Sequence, residues 1–410
     1  MTATPNQQDQ AAAFLARRMG AIKPSPSMAA KRKVDMLRAE GKTIVDFTIG
    51  EPDVGTPRHI AQAGIAAIES GAVKYTSSSG IRELLVAVQQ KFKRENGLSF
   101  GLDQLVAGTG AKQLIFSALQ ATLDAGDEVI VPTPYWVSYP DMVLLNDGKP
   151  VILPTTEAQD FKVTPAALEA AITPRTKWLL LNAPNNPSGA IYTDAELAAL
   201  LAVLEKHPQV LLMVDEIYEH FCYDGRYVSP LAVAPALAPR TLLVNGVSKA
   251  YAMTGWRVGY AAGPAWLVKA ISTLISQSTS CASQICQVAA ATALSADQQC
   301  VADIIALYKE RRDLIVELLD GIEGMSCPRP AGAFYVFPNI QGFIGKRTPA
   351  GKLIENDLDF VHYLLDAAGV AVLDGTAYGN PGHMRMSFAT DLDTIRTGCE
   401  KLAWACGQLK

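Results

Sequence analysis

Four short apolar runs, each stopping at a residue foreign to a hydrophobic interior, constrain this fold more than any other feature. Leu105 to Ala107 stops at Gly108, Lys177 to Leu181 at Asn182, and Val210 to Val214 at Asp215; Thr241 to Val244 is the fourth. Runs of this length without polar alternation read as strands buried on both faces. Helical-period stretches such as Leu114 to Leu123 lie between them, and the alternation extends from about residue 57 to 300. This pattern predicts an α/β fold, with a mostly parallel sheet covered by helices. Such sheets bind ligands beyond the carboxyl ends of their strands, so Gly108, Asn182, Asp215 and Val244 mark one functional rim. The chain divides into a large domain over 51–300 and a smaller α/β domain from 1–50 and 301–410. A helical run from Ala302 to Leu319, with KERRD on one side, leads into the smaller part. The smaller domain is expected to close over a substrate.

Beyond the fourth strand the chain reads VNGVSKAYAMTGWRVGY, with Lys249 and Arg257 between glycines. A lysine that is partly desolvated and close to other cations has a depressed pKa and can attack a carbonyl to form a Schiff base. Asp215 arrives at a strand end, with Tyr218 three residues later. In NAPNNPSG the prolines and Gly189 stiffen a loop around Asn185 and Asn186. In GTGAKQ a glycine turn follows a strand and opens a helix, so the backbone amides near Gly110 and Ala111 and the positive end of the helix form a phosphate cradle.

Taken in order, these segments resemble the fold type I, class I aminotransferases dependent on pyridoxal phosphate, close to their bacterial aspartate aminotransferase branch. The resemblance runs from IKPSPS to MRMSFA. It implies that Lys249 carries pyridoxal 5′-phosphate and moves the substrate proton. Asp215 would keep the pyridine nitrogen protonated, and Tyr218 and Asn186 would hydrogen-bond the ring oxygen. Gly110, Ala111 and Arg257 would hold the phosphate, Trp136 in PTPYW would lie against the ring, and Tyr75 in KYTSSSG would reach the cofactor of the neighbouring subunit in a homodimer with shared active sites. Arg385 in HMRMSFA would bind the substrate α-carboxylate, with Asn186 and the backbone at Gly50 completing the clamp.

Two departures stand out. Many family members have a serine three residues before the lysine, where this chain has Gly246; Ser248 is adjacent to the lysine instead. The segment Ser276 to Ala290, where other branches supply an arginine for the second carboxylate, contains no arginine or lysine, and SQSTSCASQ replaces the usual QSTSNP. Lys112 matches the lysine that serves this purpose in the bacterial branch. The implied substrates are therefore aspartate or glutamate with a 2-oxo acid such as 2-oxoglutarate. Prephenate, aromatic or neutral amino acids, or a carbon–sulfur lyase or decarboxylase reaction on the same fold, remain open alternatives.

At 410 residues, 49% of them hydrophobic, the chain can bury a large core, and a formal net charge of −4 argues against a nucleic-acid surface. The seven cysteines show no C-x-x-C pair, which suits a cytoplasmic setting. The polar opening MTATPNQQDQ is unlike a signal peptide, no apolar run is long enough to span a membrane, and the five histidines have no metal-binding spacing. LLMVDE and GFIGKRT faintly suggest a nucleotide triphosphatase, but the G-x-x-x-x-G-K-[ST] spacing is absent.

Overall fold

The computed structural model describes residues 14–410 except Lys23, Ser25 and Ala72, and only the backbone of Ser27. The opening MTATPNQQDQ and part of IKPSPS therefore lie outside the described residues. A seven-stranded sheet has the order Leu105–Gly108, Gly259–Ala262, Thr241–Gly246, Leu211–Asp215, Thr176–Asn182, Glu128–Pro132, Lys149–Leu153. All run parallel except Gly259–Ala262, which is antiparallel to both neighbours. The segment before it, 247–258, contains one short 3-10 turn at Thr254–Trp256 and no crossover helix, so the chain returns antiparallel.

Register fixes the functional rim. Asn182 pairs with Asp215 and Asp215 with Val244, which brings three of the four strand ends to one level. The strands are buried on both faces, as their unbroken apolar character requires. Leu179, Leu181, Leu212, Val214 and Leu243 enter one core with the helices Arg82–Lys91, Asp194–Glu205 and Gln284–Ser295. Trp178, Leu180, Met213, Leu242 and Val244 enter the other with Ala111–Thr122 and Ala265–Ser278. Each fully buried leucine contributes about 1.5–3 kcal/mol relative to exposure, so this two-sided packing holds the rim rigid.

A further core surrounds Tyr335–Val336, Met384–Ser387 and the helices Gln299–Asp320, Asp357–Ala368 and Leu392–Gly407. Val45 and Phe47 join it, and Val45–Asp46 pairs in parallel with Val370–Ala371. The KERRD stretch is not simply a solvated face: Arg311 and Arg312 are buried in ion pairs with Asp53 and Asp224. Among the described residues, no helix is long and apolar enough to cross a membrane.

Candidate active site

The strand ends open into a cleft of about 560 Å³, lined among others by Gly50, Ala111, Lys112, Trp136, Asn186, Asp215, Tyr218, Lys249, Arg257 and Arg385. Residues scattered from the first strap of chain to the last strand are thus gathered at one place. Gly110 is the N-cap of the helix beginning at Ala111. Tyr75 stands apart: it is 90% exposed and points to no partner within the chain's own core.

Lys249 follows the strand Thr241–Gly246. Its Nζ donates to the Gly50 carbonyl at 2.5 Å and lies 5.8 Å from the centres of the Tyr218 and Phe334 rings. Burial pushes its pKa down to about 8; the carboxylate of Glu51 works against that shift, and Arg385 and Arg257 add to it. Asp215 is buried and accepts hydrogen bonds from Tyr139 Oη at 2.7 Å and from the Ile217 amide at 3.2 Å. Burial pushes its carboxyl up to about 6, although the bonds from Tyr139 and Ile217 and the charge of Lys249 favour ionisation. A buried acid and a desolvated amine therefore face one cleft, each shifted toward neutrality.

Arg385 is also buried. Nη2 donates to the Thr48 carbonyl at 2.6 Å and Nη1 to Asn186 Oδ1 at 3.3 Å, with the guanidinium 4.5 Å above the Tyr335 ring. Its Nε has no hydrogen-bond partner, and among the described residues no carboxylate lies within ion-pair distance. A buried cation with a spare donor is costly unless an anion completes it. The Thr48 carbonyl engages Arg385 and the Gly50 carbonyl engages Lys249, while Gly50 itself lines the cleft with Asn186 and Arg385. Asn186 is held in turn, its amide donating to Asn182 Oδ1 at 2.8 Å.

A second place suited to an anion is the start of the helix Ala111–Thr122. Gly110 has φ +85°, and a Cβ there would collide with the Arg257 guanidinium; a Cβ on Gly259 would strike the Ala111 nitrogen. No side chain caps this helix. Arg257 Nη1 donates to the Thr254 carbonyl at 2.9 Å, leaving the rest of its fork toward the helix start. Backbone amides, helix dipole and guanidinium converge there. Gly246 is closed to a side chain, since a Cβ would lie 2.9 Å from the Val258 carbonyl, whereas Ser248 lines the cleft.

Lys112, in the first turn of the same helix, has its Nζ 4.6 Å from the Trp136 ring centre and 3.2 Å from Ser138 Oγ. Burial, and then the charge of Arg257, lowers its pKa. The arginine-free stretch Ser276 to Ala290 packs beside the Tyr75 loop, where Lys74 N donates to Gln284 Oε1 at 2.7 Å. Tyr139 and Tyr335 were not singled out in the sequence. Tyr335 lies 2.8 Å, hydroxyl to hydroxyl, from Tyr218 and comes from a distant strand, so only the fold places it. Tyr139 lies in the first turn of the helix Ser138–Leu145, three residues after Trp136, and no motif marked it. Elsewhere, ligand-type atoms of Glu95, Glu219 and His220 lie within 4.8 Å of one another, but Lys91 already pairs with both glutamates.

Residues 42–402 match the family described as aminotransferase class I and II. The chain belongs to that family. As an aminotransferase it is 48% identical to the aspartate/prephenate aminotransferase of Cereibacter sphaeroides, covering 97% of this chain and all of that one. It resembles the crystal structure of the aspartate aminotransferase from Rhizobium meliloti with a TM-score of 0.95 and 48% identity, covering 97% of this chain and 99% of that chain. It also resembles the aspartate aminotransferase from Thermus thermophilus with maleate, with a TM-score of 0.89 and 42% identity over 95% of this chain and 99% of that one.

Proposed function

We propose that this aminotransferase uses pyridoxal 5′-phosphate to pass an amino group between aspartate or glutamate and a 2-oxo acid such as 2-oxoglutarate. The observation that carries the reading is the convergence of Lys249, Asp215 and the Arg257–Gly110–Ala111 group on one cleft. These residues fit the cofactor: an amine for its aldehyde, a buried acid for its ring nitrogen, and, for its phosphate, a helix start where the bare Gly110 lets the Arg257 guanidinium come close. When bound, the cofactor supplies the covalent handle and the electron sink for the carbanion left at the substrate α-carbon.

The protein's own groups do the rest. With a pKa near 8, Lys249 holds a useful fraction of neutral amine near neutral pH, and its Nζ takes and returns the α-carbon proton. Asp215 holds the proton on the ring nitrogen, and Tyr139 orients that carboxylate. Tyr218 and Asn186 would donate to the ring oxygen, Trp136 would cover the ring, and Ser248, which lines the cleft, would offer a hydroxyl that Gly246 cannot. Arg385 takes the α-carboxylate and Lys112 the distal one. Tyr75, being exposed, serves the neighbouring site of a homodimer. The part comprising residues 1–50 and 301–410 closes over the 51–300 part and excludes water. The free cysteines suit the cytoplasm.

A second reading is favoured by the relative named for prephenate. A single flexible ammonium at the distal end tolerates a bulkier acid than an arginine fork does. Half-transamination spectra with a panel of amino acids test both readings: rapid conversion by aspartate and glutamate, with slow conversion by alanine, is expected. Equal rates for all would remove the dicarboxylate assignment.

A further inference from the structure

The segment 48–53 crosses the cleft and is tied to the chemistry at almost every step. The Thr48 carbonyl accepts from Arg385, the Gly50 carbonyl from Lys249 at 2.5 Å, and Glu51 Oε2 from Thr254 Oγ1 at 2.7 Å. Beyond these contacts the segment is fixed at Asp53. There Arg311 donates to Oδ1 at 2.7 Å and to Oδ2 at 2.9 Å, a bidentate fork, and Tyr308 Oη donates to Oδ1 at 2.9 Å. The Asp53 amide returns a bond to Tyr308 Oη at 3.3 Å. Both anchors project from one helix, Gln299–Asp320, with the guanidinium 4.9 Å from the Tyr308 ring centre.

We infer that the Asp53–Arg311 pair is a positioning device for the reactive amine: it holds the segment that presents the Gly50 carbonyl and the Glu51 carboxylate to Lys249. The inference rests on the reading of Lys249 as the reactive amine. A carbonyl that accepts from an ammonium favours its charged form, as does a nearby carboxylate. The other charged groups facing Lys249 are Arg385, Arg257 and Asp215, carried on other elements, of which Arg385 also donates to the Thr48 carbonyl of this segment. Burial alone would raise the Asp53 pKa, but its bonds from Arg311 and Tyr308 and the Arg311 charge outweigh it, so the pair stays ionised at working pH. Release of the anchor therefore lets the segment drift from the amine, whose pKa falls.

The same helix provides a control. Arg312, adjacent to Arg311, is equally buried but pairs with Asp224 and Asp313, away from segment 48–53. Full-length cofactor-free protein is treated with a small acylating reagent over a pH series, and modification of Lys249 is followed by peptide mapping. Asp53→Asn should lower the half-reactivity pH of Lys249 by about 0.5 or more, and Tyr308→Phe, which removes only the hydroxyl, should lower it by less. In the cofactor-loaded enzyme, Asp53→Asn should reduce kcat on the order of ten-fold with a smaller change in KM. Arg312→Met should lower Tm without moving the Lys249 titration. An unmoved titration in both Asp53→Asn and Tyr308→Phe, or an equal shift in Arg312→Met, overturns the inference. If Asp53→Asn does not fold, Tyr308→Phe decides alone. The amine titration is read without cofactor, so its failure is separable from failure of the cofactor assignment, which borohydride trapping reads.

Discussion

Tyr139 donates its phenolic hydrogen to Asp215 Oδ2 at 2.7 Å, inside a pocket where the carboxyl is almost fully buried. Its effect is to favour the charged form of an acid that burial has pushed up to about 6. In Tyr139→Phe that support is lost and the Asp215 pKa rises further, by roughly one unit. Cofactor binding needs the ionised acid, so affinity should weaken as pH falls through this pKa, and the midpoint should lie higher in the variant. Cofactor titrations between pH 5 and 8 check this; identical midpoints would show that the phenol does not tune Asp215.

Asp215→Asn should lose most activity while making the cofactor-free protein more stable at pH 7. The sign follows from linkage. An acid whose folded pKa is about 6 against an ordinary value of 3.8 leaves the folded state holding more protons between these values. Stability therefore falls as pH rises through that window, and the ionised carboxylate is a net cost above it. Replacing it with an amide whose oxygen still accepts from the Ile217 N–H and whose NH2 donates to Tyr139 Oη, the phenol turning from donor to acceptor, should recover about 2–3 kcal/mol. Denaturant melts of both cofactor-free proteins at pH 4 and pH 7 measure it: the gain should appear at pH 7 and shrink at pH 4.

Lys112→Ala should impair aspartate and glutamate more than alanine or an aromatic amino acid. The residue keeps a solvent-exposed face although its ammonium is partly desolvated beside Trp136 and Ser138, so the expected gap in kcat/KM is about ten-fold, about 1.4 kcal/mol, rather than that of a deeply buried pair. Equal losses for acidic and neutral substrates would point to Lys112 as a neighbour of the phosphate only.

Tyr75 gives the test of shared sites. If it serves the neighbouring subunit, mixing inactive Lys249→Ala chains with impaired Tyr75→Phe chains should restore activity, because one site of each hybrid dimer then has both residues intact. No gain on mixing, with subunit exchange confirmed, would place Tyr75 in its own subunit's site or in none.

The parts of this design legible in the sequence are those where chain order and chemistry coincide. Asn182 and Asp215 end apolar runs, and parallel register alone brings them side by side. Lys249 and Arg257 follow the next strand within one loop. The reversal at Gly259–Ala262 was not foreseen, although 247–258 has no crossover helix. Tyr335, which meets Tyr218, and Asp53, which meets Arg311, act through pairings between remote segments that only folding creates. The bonds of the Gly50 carbonyl to Lys249 and the Thr48 carbonyl to Arg385 were equally hidden, because they depend on the exact path of one short segment.

The central claim is that Lys249 is the amine that holds pyridoxal phosphate. Borohydride reduction of the cofactor-loaded protein followed by peptide mapping tests it most directly. The expected product is a single peptide containing VSKAYAMTGWR, modified at Lys249, with Lys249→Ala giving no covalent label. Label on another lysine, or undiminished label in Lys249→Ala, would contradict the account.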